Sequence, residues 1–310
     1  MFFPSVCVTP LERFSFAFLL LMVYSFLGLC GEMVYCSLGQ RRLCEKRGFL
    51  NGLLCPIYGH GALVVLLVLD GGCANPLFTF LLGAILTSLV EYITSYAMEK
   101  LFHMRWWDYS QYRFHINGRV CLLNSTLFGL ASVFLCHAAS PPVSAQLASL
   151  FVSGIGVPLA LVLLAVYLVD LALSVRSAIQ IGDRLAKLHA IQDELAGRLE
   201  ALKAEQQQAM ELQRKRLEGS LTAACLGVEE RAAQAAQAVQ SKLEPLADLS
   251  AGFAARLEAA RGEAQQKLHA LYDRQDFFER RLLRAFPSMR APHYGDALKK
   301  LLEYRSIRKK

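Results

Sequence analysis

Charge is what the first half of this 310-residue chain has least of. Residues 14–35 hold one charged side chain, Glu32, and residues 77–98 hold only Glu91. Each run is long enough to cross a hydrocarbon core of ~30 Å at ~1.5 Å per residue. Runs this apolar and this long exclude an ordinary soluble domain for the segments that carry them.

Catalytic signatures are missing as well. There is no G-x-x-x-x-G-K-S/T, which excludes ATP hydrolysis of the P-loop kind, and no G-x-S-x-G or H-E-x-x-H. Nine cysteines form no C-x-x-C pair and take no ligand spacing with histidine, so neither a metal centre nor a dithiol site is expected. His60, His103 and His115 stand apart and read as structural. The chain is therefore read as a non-enzyme without cofactor or metal. The N-terminus lacks a basic segment ahead of its first apolar run, so that run is expected to be a permanent anchor rather than a cleaved signal.

What is present divides sharply. Up to Val175 hydrophobic stretches dominate, with nine Lys/Arg; beyond it the chain is rich in Ala, Glu, Gln, Leu, Lys and Arg. The expected fold class is all-α, a five-helix transmembrane bundle over 1–175, a cytoplasmic coiled coil over 176–284 and a basic tail over 285–310. Hydropathy places the spans at about 14–36, 49–69, 77–99, 120–138 and 146–174. Gly154, Gly156 and Pro158 interrupt the last.

The loops fix an orientation. Arg41, Arg42, Lys46 and Arg47 lie in one loop and Lys100, Arg105, Arg113 and Arg119 in another, whereas 70–76 and 139–145 carry no Lys or Arg. By the positive-inside rule the basic loops are cytoplasmic, the N-terminus is outside and the C-terminal region is cytoplasmic. The expected place of residence is the cell membrane. The tail, with its excess of Lys and Arg, is expected against anionic lipid rather than nucleic acid.

In that orientation the polar residues crowd the inner leaflet. Glu32, Asn51, Cys55, Tyr58, Glu91, Asn117, Arg119 and Asn124 form a candidate polar cavity, with Arg119 as counter-charge for one glutamate. A carboxylate in the hydrocarbon region costs several kcal/mol and normally faces a protein-lined interior. Small residues share its helix faces: Ser25 and Gly28 with Glu32, Cys55 and Gly59 on the second span, Thr87 and Ser88 with Glu91. A purely structural polar lock is the competing reading of the same residues. Trp106, Trp107, Asp108 and Tyr109 form a candidate cytoplasmic gate loop, although interface anchoring alone accounts for its aromatics.

Several motifs carry a resemblance. Gly31-Glu32, Arg47-Gly48-Phe49-Leu50-Asn51-Gly52, Cys55-Pro56-Ile57-Tyr58-Gly59, Glu91-Tyr92, Trp106-Trp107-Asp108-Tyr109 and Asn117-Gly118-Arg119 resemble, in order, the type IV ABC-transporter family of bacterial membrane proteins. The resemblance runs from about Phe14 to His137. It implies an integral membrane protein with a permease label and assigns no role to any residue; with the intramembrane carboxylates it makes a permease-like subunit that needs a separate ATPase subunit the leading expectation. The alternative is a non-transporting scaffold that presents its coiled coil to partners.

Beyond Ser174, Leu185, Leu188, Leu195, Leu199 and Leu202 follow a heptad with Gln192 in one core slot. A slip near Met210 leads into a second register through Leu217, Leu221, Ala224, Val228, Ala232, Ala235 and Val239; Leu257, Ala260, Ala264 and Leu271 form a third. Pro245 is expected to break the rod. Its arms then either fold back as an antiparallel hairpin or run on as a parallel homodimer, and the reading leans to the dimer. A short amphipathic helix is expected at 297–304, docked on the membrane surface or on the coil.

Overall fold

A computed structural model describes residues 3–40, 46, 48–69, 75–225, 232–273, 277–292, 294–299 and 301. Arg41, Arg42, Arg47 and Val228, all named above, lie outside them. So do the side chains of Leu217, Leu221, Ala224, Ala232, Ala235 and Val239.

The chain is helical nearly throughout. Its elements are α1 (Pro10–Gln40), α2 (Pro56–Val68), α3 (Pro76–Phe102), a two-stranded hairpin of β1 (His115–Ile116) and β2 (Val120–Cys121), and α4 (Leu122–Phe134). After a π-helical turn, Leu135–Ala139, come α5 (Ser140–Val152), α6 (Gly156–Cys225), α7 (Ala232–Asp273) and α8 (Phe277–Ala285). Two compact units result, one of residues 1–183 with 275–310, the other of residues 184–274.

Four stretches in the first unit are long and apolar enough to cross a membrane: Pro10–Leu38, Pro76–Phe102, Leu122–Val152 and the start of Gly156–Arg216. The expected second span contracts to the 13 residues of α2, about 20 Å of helix. Pro56 is its first residue, and the residue before a proline is pushed out of the helical region, so 49–55 stay a loop. The fourth and fifth spans also differ from expectation. Residues 140–152 continue the α4 stretch, and the π turn ahead of Pro141 and Pro142 accommodates the two missing amide donors. Gly154, at φ 77°, ends α5 before α6 begins.

Helices pack in chain order, α1 on α2, α2 on α3 and α3 on α4, with α5 returning to α1. Phe16, Leu20, Tyr24, Val65, Leu66 and Leu147 fill the centre. Leu81, Ile85, Leu89 and Ile93, spaced four apart on α3, are more than half exposed, as a lipid-facing stripe requires. Small residues set the α1–α2 spacing. A Cβ on Gly59 would lie 2.5 Å from the Leu21 carbonyl oxygen, and one on Gly28 would lie 2.5 Å from Tyr58 Cγ.

The described part of the tail packs within the first unit. Arg281 donates to the carbonyls of Gly48 and Phe49 at 3.1 and 2.6 Å. Arg105 and Arg290 form an antiparallel bridge, Phe286 sits edge-on to Trp106 at 4.9 Å, and Leu282, Leu283, Met289, Leu298 and Leu301 are buried. Residues 295–299 are helical, so the helix starts two residues ahead of the expected amphipathic segment and overlaps its first turn.

In the second unit α6 and α7 pair antiparallel within one chain. Arg184 bonds the Leu271 carbonyl, Arg198 lies 3.2 Å from Glu263, and Arg256 lies 3.9 Å from Glu205. Rising numbers on one helix meet falling numbers on the other, so the hairpin forms and not a parallel run. Leu185, Leu188 and Ala264 are buried. Pro245 does not break the rod, since α7 begins ahead of it and continues through it.

Candidate functional site

Two carboxylate–phenol pairs converge near the basic-loop end of the bundle. Glu32 on α1 accepts the hydroxyl of Tyr58 on α2. Glu91 on α3 is 5% exposed, and its Oε1 accepts the Tyr109 hydroxyl at 3.1 Å. Its Oε2 is buried and has no hydrogen-bond partner. Tyr58 stands edge-on to Phe128 of α4 at 6.2 Å, which closes one side. Tyr109 joins the two pairs: burial, the charge and hydrogen bond of Glu91, and the charge of Glu32 hold its phenol well above the ordinary tyrosine range. It therefore stays a donor. Cys55, at the start of α2, is buried within electrostatic reach of Tyr58 and bonds the Ser25 carbonyl through its N–H at 3.0 Å.

The remaining expected cavity residues go elsewhere. Arg119 is not the counter-charge of Glu32 or Glu91. Its Nη2 lies 2.8 Å from Glu99 Oε2, its Nη1 donates to Ser95 Oγ at 3.1 Å, and its guanidinium covers the rings of Tyr92 and Tyr96. Glu99 sits on the same face of α3 as Ser95 and Tyr92, so the helix itself presents Arg119 with acid, hydroxyl and aromatic ring. Asn117 donates from Nδ2 to the Tyr92 hydroxyl at 3.0 Å and accepts from Arg105 Nη1 at 3.1 Å through its carbonyl. Asn124 is half-buried on α4 and joins neither pair.

Asn51 belongs to a clamp that sequence reasoning missed. Asp170 of α6 accepts the N–H of Asn51 at 2.8 Å on Oδ1 and that of Gly52 at 2.6 Å on Oδ2, while Asn51 Nδ2 reaches Ser174 Oγ at 3.0 Å. From the other side Lys46 Nζ donates to the carbonyls of Leu50, Asn51 and Gly52. Burial and the nearby charge of Arg281 push that ammonium down to about 8. An acid inside an apolar run is the signal that marked Glu32 and Glu91, and Asp170 carries it too.

The expected gate loop is mostly wall. Trp106 is 1% exposed, enclosed by Phe49, Phe102 and Phe286, and Trp107 donates from its indole to the Arg119 carbonyl at 3.1 Å. Asp108 is buried, accepting Ser110 N at 3.1 Å and Arg290 Nε at 2.7 Å. Tyr109 is the one of the four that reaches a membrane carboxylate. The hairpin tip keeps it there, with Asn117 and Gly118 both at positive φ (52° and 68°). A Cβ on Gly118 would collide with Asp108 Oδ1. No cluster of three or more His, Cys, Asp or Glu able to hold a metal ion occurs among the described residues.

Long apolar helices with paired acids in their interior define a helical, multi-pass, transporter-like membrane protein. The family model described as Putative ABC-transporter type IV matches residues 19–175, and the chain belongs to that family. No curated protein and no solved structure matches the chain.

Proposed function

We propose that the chain is a permease-like transporter subunit with a polar site at its inner-leaflet end, driven by a separate ATPase subunit and itself not an enzyme. The observation that carries this reading is the Glu91–Tyr109 hydrogen bond. A loop residue caps a carboxylate inside the membrane, so movement of that loop uncovers or covers the acid. The basic loops set the direction: by the positive-inside rule the capped end is cytoplasmic, as is the region after α6. In this reading Glu32 and Tyr58 form the far wall, and Cys55 lies beside them.

The scaffold reading draws on a different observation. Arg119–Glu99 and the Asp170 clamp tie helices to the loops beside them, as a structural lock would, and the α6–α7 hairpin offers partners a long surface.

The test is isolation of the full chain from native membranes in mild detergent, as wild type, E91Q and Y109F. The permease reading expects an ATPase subunit to co-purify with all three, and its substrate-stimulated turnover to fall in both variants. Persistent recovery without any ATPase, or variants with unchanged turnover, would favour the scaffold.

A further inference from the structure

Arg105 and Arg290 sit directly opposite each other on an antiparallel bridge, each N–H donating to the other's carbonyl at 2.7 and 2.8 Å. Like charges in that position oppose the pairing, yet the pairing joins the 103–121 segment to the tail. Each guanidinium is anchored from behind. Arg105 Nε lies 2.9 Å from Glu99 Oε2, with Nη1 on the Asn117 carbonyl at 3.1 Å and 3.8 Å from Asp108 Oδ1. Arg290 Nε lies 2.7 Å from Asp108 Oδ2.

The same two arginines line a cavity of about 460 Å³ together with Lys299. Met289, Ala291, Pro292 and Leu298 supply apolar wall, and among the described residues no acid lines it. The volume falls within the range of small-molecule sites. A guanidinium fixed through Nε keeps terminal N–H donors for a second partner, the fork geometry that suits a tetrahedral oxyanion, and a lysine adds a point charge. Glu99 is already shared with Arg119, so the local cations outnumber the carboxylates that anchor them.

We propose that this cavity binds a phosphate group borne on an apolar body, the oxyanion bridging Arg105, Arg290 and Lys299. Bound there, it offsets the opposed charges of the bridge and tightens the tail on the loop that carries Tyr109. An anionic phospholipid headgroup and a soluble organic phosphate share this chemistry.

Both tryptophans of the chain, Trp106 and Trp107, lie beside Arg105, so intrinsic fluorescence reports on this loop. The full chain is titrated with inorganic phosphate in zwitterionic micelles at constant ionic strength. It is separately placed in phosphatidylcholine nanodiscs with rising phosphatidylglycerol. The variants are K299Q, at an exposed lining position, and K203Q, an exposed control on α6. The proposal expects a saturable change whose half-saturation rises about tenfold in K299Q, as loss of one charge-assisted contact gives, and stays put in K203Q. A response to phosphate itself assigns the site to soluble phosphates; a response confined to phosphatidylglycerol assigns it to the lipid. No saturable response to either probe, or one that survives K299Q unchanged, overturns it.

Discussion

Arg119 places its guanidinium 2.8 Å from Glu99 Oε2, with the rings of Tyr92 and Tyr96 at 5.7 and 5.4 Å. The arginine is 7% exposed, so charge, hydroxyl and aromatic partners together replace the water it gives up. Its backbone carbonyl also takes the Trp107 indole, and its N–H bonds the Ile116 carbonyl at 3.0 Å. One residue thus fastens α3, the hairpin and the aromatic loop.

Arg119→Gln is therefore expected to destabilise the bundle by about 2 kcal/mol, the cost of losing a hydrogen-bonded charge partner at a largely buried site. Arg119→Lys keeps the charge but loses the planar fork and its stacking, so it should recover less than half of that. Thermal unfolding of both variants in one detergent checks this. Full recovery by lysine would show that charge alone matters.

The α1–α2 contact yields a paired expectation. Gly59→Ala puts a methyl against the Leu21 carbonyl, a backbone atom that cannot rotate away, and should cost roughly 1–3 kcal/mol. Gly31→Ala, on α1 where a Cβ meets nothing within 4 Å, should change stability by less than about 0.5 kcal/mol. Equal losses at both positions would mean that helix packing is not what Gly59 serves.

How far the sequence announces these contacts depends on their range. Glu32 and Glu91 are legible because an acid in an apolar run has few structural excuses, and the stripe through Gly28 and Gly59 is legible because helical spacing places small residues on one face. Asp170 carries the same signal more faintly, near the end of its run where a carboxylate is less costly. The pairing of Arg119 with Glu99 is hidden, since Glu99 stands beside Lys100 and looks like part of a solvated helix end. The bonds from Arg290 to Asp108 and from Arg281 to Gly48 join distant parts of the chain, and no periodicity records them. Helix type followed from composition. The contraction of α2 turned on one proline, and the pairing of α6 with α7 turned on which ion pairs closed.

That last pairing has a direct check. With native cysteines replaced, R198C and E263C should be joined by a short bismaleimide within one chain, because the native side chains meet at 3.2 Å. On a denaturing gel the product migrates as a compact monomer. A cross-linked dimer as the main product would contradict the hairpin.

The final expectation concerns alkaline pH and rests on Tyr109. Its phenol is held above the ordinary range by burial first and then by Glu91 and Glu32. The folded state therefore keeps a proton that the unfolded chain releases at about pH 10. The stability this contributes is complete below that value and declines as pH rises above it, by up to about 1.4 kcal/mol per unit for one proton. Two outcomes follow for Tyr109→Phe. Its phenolate absorbance at pH 11, measured on folded protein, should equal that of wild type, because Tyr109 has not yet ionised. Its stability should also fall less steeply between pH 10 and 11. If the variant instead loses one tyrosine's worth of absorbance at pH 11, Tyr109 is reached by solvent hydroxide, and the cap over Glu91 is open in the resting protein.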